Sequence, residues 1–429
     1  MTGSTDPRDS LKINISPEEA LKIGKLLGSQ HRTVAVCRDG HRTSQMVEKA
    51  IMAGIISTGG DAYLAGECPA TAMPFMRPRC DCYVCIAADD PEQISGINIH
   101  NPDGSYFDES QVFNLMSKEV RIHYPDYSGL GNATDAGGII REYELALTEL
   151  IKKCDCQIVM DGTYVSPTSV SAKVFTSMGS DVVIVNRSGN TSIQSLTEFD
   201  LRDLTSTMGA YKGSIGMALN SDGSRFAAFD EERNHIDGRK LATIFAKELS
   251  PSRVTVPIDM TLAVDDVLDN DGVVVRVRRN IKSVVDMMRD NGSSLGMDLD
   301  GRFVFSDFSM TPDGIAAALR LGEIATTVKL CDLIDEIPDY PTCSEIIRTT
   351  VPEAELTEMI MEELSATEYT SMINVDGIRL DFDNGWFLVD VNGQDQCVTI
   401  TCEARDKAYM VGLMEIAKNT VNAAIKRFD

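Results

Sequence analysis

The chain has 429 residues, and its 65 Asp and Glu against 40 Lys and Arg leave a formal net charge of −25. Apolar residues make up 43% and charged residues 24% of it, an ordinary globular balance that excludes intrinsic disorder over most of the length. The acidic surplus excludes a nucleic-acid backbone or an anionic membrane as the main partner, because either would repel it.

The length predicts roughly two to four domains. No run of about 18 apolar residues is present, so no membrane-spanning helix is expected. Residues 1–9 carry neither a basic start nor an apolar stretch, and no secretory signal is expected either. Eleven Cys scattered over the chain fit reduced thiols better than a disulfide framework. A soluble cytoplasmic chain is the expectation.

Residues 17–29 place Ala20, Leu21, Ile23, Leu26 and Leu27 at helical spacing behind Ser16 as N-cap. Residues 33–37 read as a buried strand, 44–60 as a helix ending in glycines, 61–66 as the next strand and 82–88 as a third. The rhythm returns at 156–162, 170–180, 181–187 and 214–232, and again at 254–261, 264–272 and 273–279. Strands alternating with helices of this length imply parallel βαβ units. Residues 377–393 differ, alternating about an Asp-Asn-Gly turn at 383–385 as a β-hairpin does. A strand at 396–404 and an amphipathic helix at 407–428 follow, and 352–369 reads as a helix leading into this tail. The expected fold is therefore α/β, with three similar mixed α/β domains (1–148, 149–248, 249–350) and a C-terminal α+β domain (351–429).

Several short motifs recur in a particular order. They are Arg38-Asp39-Gly40, then Asp90-Pro91 through Ser95-Gly96-Ile97 to Asn101-Pro102-Asp103-Gly104-Ser105. Ser306-Asp307-Phe308-Ser309 then precedes Asp313-Gly314-Ile315, and Asp376-Gly377-Ile378 precedes Gly385-Trp386. In this order and spacing the chain resembles, from end to end, the α-D-phosphohexomutases (phosphoglucomutase, phosphomannomutase and phosphoglucosamine mutase). The resemblance implies four domains around a central cleft. It also implies a phosphoserine that passes its phosphoryl group to a sugar phosphate and takes one back, and a divalent metal held by three Asp. A sugar loop and a phosphate loop complete the family's site.

The sequence departs from that pattern in all four loops. The resemblance lays the family's phosphoserine on Ala88, which has no nucleophilic atom, with Asp89 as its neighbour. The metal loop falls on 220–225, where Asn220, Asp222 and Ser224 stand for three carboxylates. Two negative charges are lost there, so no cofactor is expected, with Mg²⁺ at most weakly held. The sugar loop becomes Asp298, Asp300 and Arg302, two acids and a base able to hold sugar hydroxyls. The phosphate loop falls on 390–396, with Asp390 in place of an Arg and Asn392, Gly393 and Gln394 in place of Ser, Gly and Thr; a later Arg becomes Thr399. Arg8, Arg38, Arg225 and Lys282 keep family-basic positions around the cleft.

Replacement at Ala88, Asn220, Ser224, Asp390 and Thr399 together predicts a catalytically inactive protein with a ligand-sensing, regulatory or scaffold role. Its expected ligand is a sugar or sugar phosphate, with a protein partner or a second copy of the chain beside it. The alternative is an active phosphosugar mutase in which Asp89 forms an aspartyl phosphate and Asp222 holds Mg²⁺. Cys80, Cys82, Cys85, Cys154 and Cys156 flank strand starts and read as buried inert thiols rather than a zinc site. The glycines within 127–138 read as a surface or interdomain loop.

Overall fold

The computed structural model describes residues 15–76, 79–87, 96–107, 109–116, 122–186, 196–198, 200–268, 271–365 and 367–428. It contains four sheets. In the first, Thr33–Arg38 lies between Asp61–Glu67 and Cys82–Ala87, all parallel, and Gly96–His100 runs antiparallel on the outside. The second repeats this with Cys154–Asp161 between Gly179–Val185 and Ile215–Leu219, then antiparallel Phe226–Phe229. The third repeats it again with Arg253–Pro257 between Val273–Val277 and Leu295–Met297, then antiparallel Phe303–Phe305. One topological rule thus recurs three times. In each repeat the chain passes from a buried parallel strand into an antiparallel one.

Local sequence explains most elements. The helix Pro17–Gln30 opens on a capping box in which Ser16 Oγ accepts from the Glu19 amide and Glu19 accepts from the Ser16 amide. Central strands such as Cys82–Ala87 are buried at every position, as strands covered on both faces must be.

Two departures from expectation have tertiary causes. The helix Gly314–Ala325, which follows the third sheet in sequence, packs on the second-sheet strand Cys154–Asp161 and on the helix Val165–Ser177. It is apolar nearly all round, and a Cβ on Gly322 would come within 2.7 Å of Phe175 and 2.8 Å of Cys154 Sγ. Glycine is what lets helix and sheet close up. Conversely, Gly238–Leu249 precedes the third sheet and packs beside its helix Ala263–Val267. A single apolar core consequently runs through all three repeats, from Ala35 and Tyr83 through Met160 and Phe175 to Val256 and Met297.

The fourth sheet is fully antiparallel, in the order Thr342–Arg348, Cys397–Ala404, Gly385–Asn392, Ile378–Phe382, Ser371–Asn374. The hairpin about 383–385 is present, and the helices Glu353–Leu364 and Lys407–Phe428 pack with the sheet around a separate apolar core. This sheet also takes in Thr342–Arg348, ahead of the expected start at 351. That strand is largely exposed and polar, so its sequence carries no burial signal. Another short strand, Ala133–Asp135, lies within the stretch read as a loop and adds to the edge of Asp61–Glu67. Among the described residues no helix is long and apolar enough to cross a membrane.

Candidate functional site

The threefold repeat positions the candidate loops. Residues 88–95, 220–225 and 298–302 each join the third strand of a repeat to its antiparallel fourth. Ala88 and Asp89 lie in the first of these, outside the described residues, as does Arg8. The other two loops meet directly. Arg225 and Arg302 form an isolated antiparallel bridge, and the Phe226 amide donates to the Gly301 carbonyl at 3.1 Å. The Ala70 amide of the first repeat donates to the Asp222 carbonyl, and the Gly314 amide donates to the Gly223 carbonyl, both at 2.9 Å.

Gly223 (φ +78°) turns the 220–225 loop tightly. Asp222 Oδ1 accepts the Ser224 amide at 2.8 Å, and Asn220 Oδ1 accepts the Arg225 amide at 2.9 Å. Asn220 Nδ2 donates to Ser224 Oγ at 3.3 Å. The loop's oxygens are thus largely spent on its own backbone. Among the described residues, no three His, Cys, Asp or Glu side chains gather in a geometry able to hold a metal. One carboxylate with an oxygen already engaged does not fit a preformed Mg²⁺ site, which needs octahedral oxygen ligands.

The 298–302 loop is closed as well, and here the expectation of open sugar contacts is corrected. Asp298 is 4% exposed. Its Oδ1 accepts the amides of Asp300 and Arg302 at 2.9 and 3.0 Å, and its Oδ2 accepts Arg302 Nη1 at 2.9 Å. An Asx turn and an internal ion pair thus engage both Asp298 oxygens and tie down Nη1 of Arg302. Asp300 alone is exposed, 3.6 Å from Arg302.

The phosphate-loop positions differ from expectation too. Asp390 pairs across the sheet with Thr399, and its carboxylate accepts Arg279 Nη2 at 2.8 Å. The same guanidinium donates through Nε to Asp376 Oδ2 at 3.0 Å. Burial works against this Arg279 charge, yet Asp390 and Asp376 hold its pKa above the usual arginine value. Asp390 is therefore a structural anchor rather than a bare charge facing a phosphate. In the turn, Asn392 and Asp395 bond each other at 2.9 and 3.0 Å, and the Gly393 amide donates to Glu353 Oε2 at 3.2 Å. A carboxylate of the protein itself already takes the amide that a phosphate would need. Gln394 is exposed.

Of the basic positions, Arg38 lies 3.6 Å from both Glu48 and Glu67 and donates to the Asp39 carbonyl at 2.9 Å, so its charge is met locally. Lys282 stands in the first turn of Ile281–Asn291, just after the Arg279 clamp. Cys80, Cys82, Cys85 and Cys154 are buried, and burial pushes the Cys80 thiol up to about 11. Cys154 is fully buried and stays within the inert reading. Hydrogen bonds from Cys156 and Ser180 to its sulfur bring it down to about 7.

One buried carboxyl escaped its motif. Asp313 caps the interlocking helix Gly314–Ala325 by accepting the Ala316 amide at 2.8 Å, and accepts Tyr143 Oη at 2.7 and 2.9 Å. Burial pushes it up to about 7. The Asp313-Gly314-Ile315 triplet entered the sequence reading only as a motif match, and neither its cap nor its Tyr143 partner 170 residues upstream was visible there.

Comparison with known proteins adds the family context. The model for "Phosphoglucomutase/phosphomannomutase, alpha/beta/alpha domain I" matches residues 2–119, and that for domain III matches 237–340, together more than half of the chain. A protein of Methanosarcina acetivorans described as "Probable phosphoglucosamine mutase" is 28% identical over 436 residues, covering 99% of either chain. Further archaeal relatives bear the same mutase name at 27% identity. Among solved structures, a phosphoglucomutase/phosphomannomutase family protein of Burkholderia thailandensis superposes with a TM-score of 0.83 at 18% identity, over 95% of this chain and 94% of its own. An N-acetylphosphoglucosamine mutase of Aspergillus fumigatus, in complex with GlcNAc-6P and magnesium, superposes with a TM-score of 0.55 at 11% identity, over 92% of this chain and 77% of its own.

These relatives overturn the expectation of a catalytically inactive sensor or scaffold. The likeness to named mutases spans nearly the whole chain and favours the active alternative. The expectation equated loss of the usual side chains with loss of the reaction. Phosphoryl transfer requires a nucleophile and positioned charge, and a carboxylate can serve as the nucleophile.

Proposed function

We propose, since this chain belongs to the α-D-phosphohexomutase superfamily, that it is an intramolecular phosphotransferase interconverting the 1- and 6-phosphates of a hexosamine. The observation that carries the reading is the end-to-end relationship with phosphoglucosamine mutases, at 28% identity over 99% of the chain. The meeting of the 220–225 and 298–302 loops beside the first repeat supports it, because a mutase must hold one sugar phosphate in two orientations over one centre.

In this reading Asp89 carries the phosphoryl group as an acyl phosphate. A sugar hydroxyl attacks phosphorus, the bond from phosphorus to the Asp89 oxygen breaks, and the carboxylate leaves while the hydroxyl proton is released. The hexosamine bisphosphate turns over in the cleft, and the Asp89 carboxylate attacks its other phosphorus. The bond from that phosphorus to the sugar oxygen breaks, the acyl phosphate is regenerated, and the sugar oxygen takes up a proton from solvent that balances the one released in the first step. No step runs through a metal, because the 220–225 donors do not fit one.

Phosphorus NMR tests this on the full chain with glucosamine 6-phosphate, a trace of the 1,6-bisphosphate and Mg²⁺. The expected result is conversion to the 1-phosphate well above a protein-free control. Asp89→Asn should lower it at least a hundredfold, and a hydroxylamine-labile phosphate should disappear with it. No conversion of glucosamine, glucose or mannose phosphates overturns the mutase reading. Conversion undiminished in Asp89→Asn removes Asp89 from it.

A further inference from the structure

The meeting loops surround an aromatic side chain to which no motif pointed. Tyr106 follows the turn after Gly96–His100 and bridges back to His100 as an isolated antiparallel pair. Its carbonyl accepts Asn101 Nδ2 at 3.1 Å, and its ring lies against the His100 imidazole with centroids 4.6 Å apart. His100 is fixed in turn. Its Nδ1 lies 3.0 Å from the Gly104 carbonyl, which can only accept, so the ring proton sits on Nδ1. The same carbonyl accepts Thr311 Oγ1 from the third repeat at 3.0 Å. A Cβ on Gly104 (φ +93°) would meet Thr311 Oγ1 at 2.0 Å, so only glycine permits this junction.

Tyr106 is thereby held from three sides, yet it is only half-buried and its hydroxyl has no hydrogen-bond partner among the described residues. Asp222 and Arg225 of one loop, Asp298 of another and Cys85 at the end of the first sheet all lie within electrostatic reach of it. Burial and then Asp222 push the phenol well above its ordinary pKa, so it remains a neutral donor at physiological pH. Asp298, meanwhile, already spends both oxygens on the Asp300 and Arg302 amides and on Arg302 Nη1.

We infer that Tyr106 contacts the sugar of the hexose phosphate substrate, its hydroxyl donating to a ring hydroxyl and thereby supplying recognition that the closed 298–302 turn does not. The inference rests on the mutase reading above and assigns the residue that sets its sugar specificity. The ring itself is packed against His100 and the apolar cluster of Val277, Ile281 and Val284, which fixes where the hydroxyl points. The contact needs no charge, which suits a site already rich in carboxylates.

The test is calorimetric titration of the full-length chain with glucosamine 6-phosphate, paired with mutase kinetics. Tyr106→Phe keeps the ring and the fold, and should weaken binding about threefold to tenfold, the worth of one neutral hydrogen bond. It should raise KM more than it lowers kcat. Tyr124→Phe, at an exposed ring under Lys25, should leave both unchanged. Binding by Tyr106→Phe within twofold of the parent, with the parent binding well, overturns the Tyr106 assignment and leaves the mutase reading standing. A parent that neither binds nor converts the sugar phosphate overturns both.

Discussion

The three repeats and the fourth sheet are held together by different physics. Within the repeats one apolar core is shared, with the helix Gly314–Ala325 reaching across from one repeat into the next. The fourth sheet keeps a core of its own and meets the third repeat through polar clamps beside a small apolar cluster of Ile258, Trp386 and Leu388. Arg379, fully buried over the Trp386 ring, donates to the carbonyls of Ile258 and Met260. Glu403 accepts the Leu262 amide at 2.7 Å, Thr261 Oγ1 at 3.1 Å and Trp386 Nε1 at 3.2 Å. Arg279 bridges Asp376 and Asp390, and Arg405 pairs with Asp266. Apolar burial is non-directional and fuses whatever it touches, whereas hydrogen-bonded clamps fix one orientation. The loops of the repeats are thus mounted on a single body, and the fourth sheet is docked at a set angle to it.

The sharpest break of this contrast is overpacking the shared core. Gly322→Val puts a branched side chain where even a Cβ meets Phe175 at 2.7 Å, and should cost about 3 kcal/mol or more. Calorimetry should show all three repeats losing stability together; loss confined to the second would separate them. Next comes the docking. Arg379→Met leaves the Ile258 and Met260 carbonyls and Asp381 without their buried donor, at about 2–3 kcal/mol. The expected signature is a separate melting step for the fourth sheet and faster proteolysis near 337–342. A single transition for this variant would mean that apolar contact, as at Ile258, Trp386 and Leu388, carries the docking instead.

The smallest effect is a pH dependence inside the body. Folding raises the Asp313 pKa from 3.8 to about 7, so the folded state prefers the protonated carboxyl. Its contribution is fully present below pH about 4 and is lost as pH rises through about 7. Asp313→Asn keeps a helix cap and should flatten the fall in Tm between pH 5 and 7.5 relative to the parent. An unchanged slope would place the titration elsewhere.

Much of this fold was legible in the sequence because burial leaves a period. Residues 34–37 and 82–87 announce their strands through unbroken apolar runs, 254–258 through a largely apolar one, and Ser16 with Glu19 announces a helix start. Thr342–Arg348 and Ala133–Asp135 were missed because exposed edge strands owe their existence to a partner rather than to their own pattern. The crossing of Gly314–Ala325 was equally hidden, since a helix apolar all round does not say which sheet will cover it. In the site, the 220–225 and 298–302 loops that motif order picked out meet in the structure, while the bonds their side chains make could not be read from motif order. Asp298 looked like an open acid, and only coordinates reveal that its own turn consumes it. Arg279 and Tyr106 lay in stretches with no motif weight, and their roles come from neighbours distant in sequence.

The strand pairings on either side of the 220–225 and 298–302 loops carry one further implication. Each loop leaves and returns on adjacent strands, so its two ends are pinned about 5 Å apart whatever residues lie between. The anchor points are a property of the ladder, and the turn is cargo. Lineages of this architecture are consequently free to rewrite a turn wholesale while the scaffold around it stands still, which is the relation between this chain's conserved topology and its altered loops. The same decoupling makes these turns natural junctions for transplanting a segment of five or six residues from one relative into another.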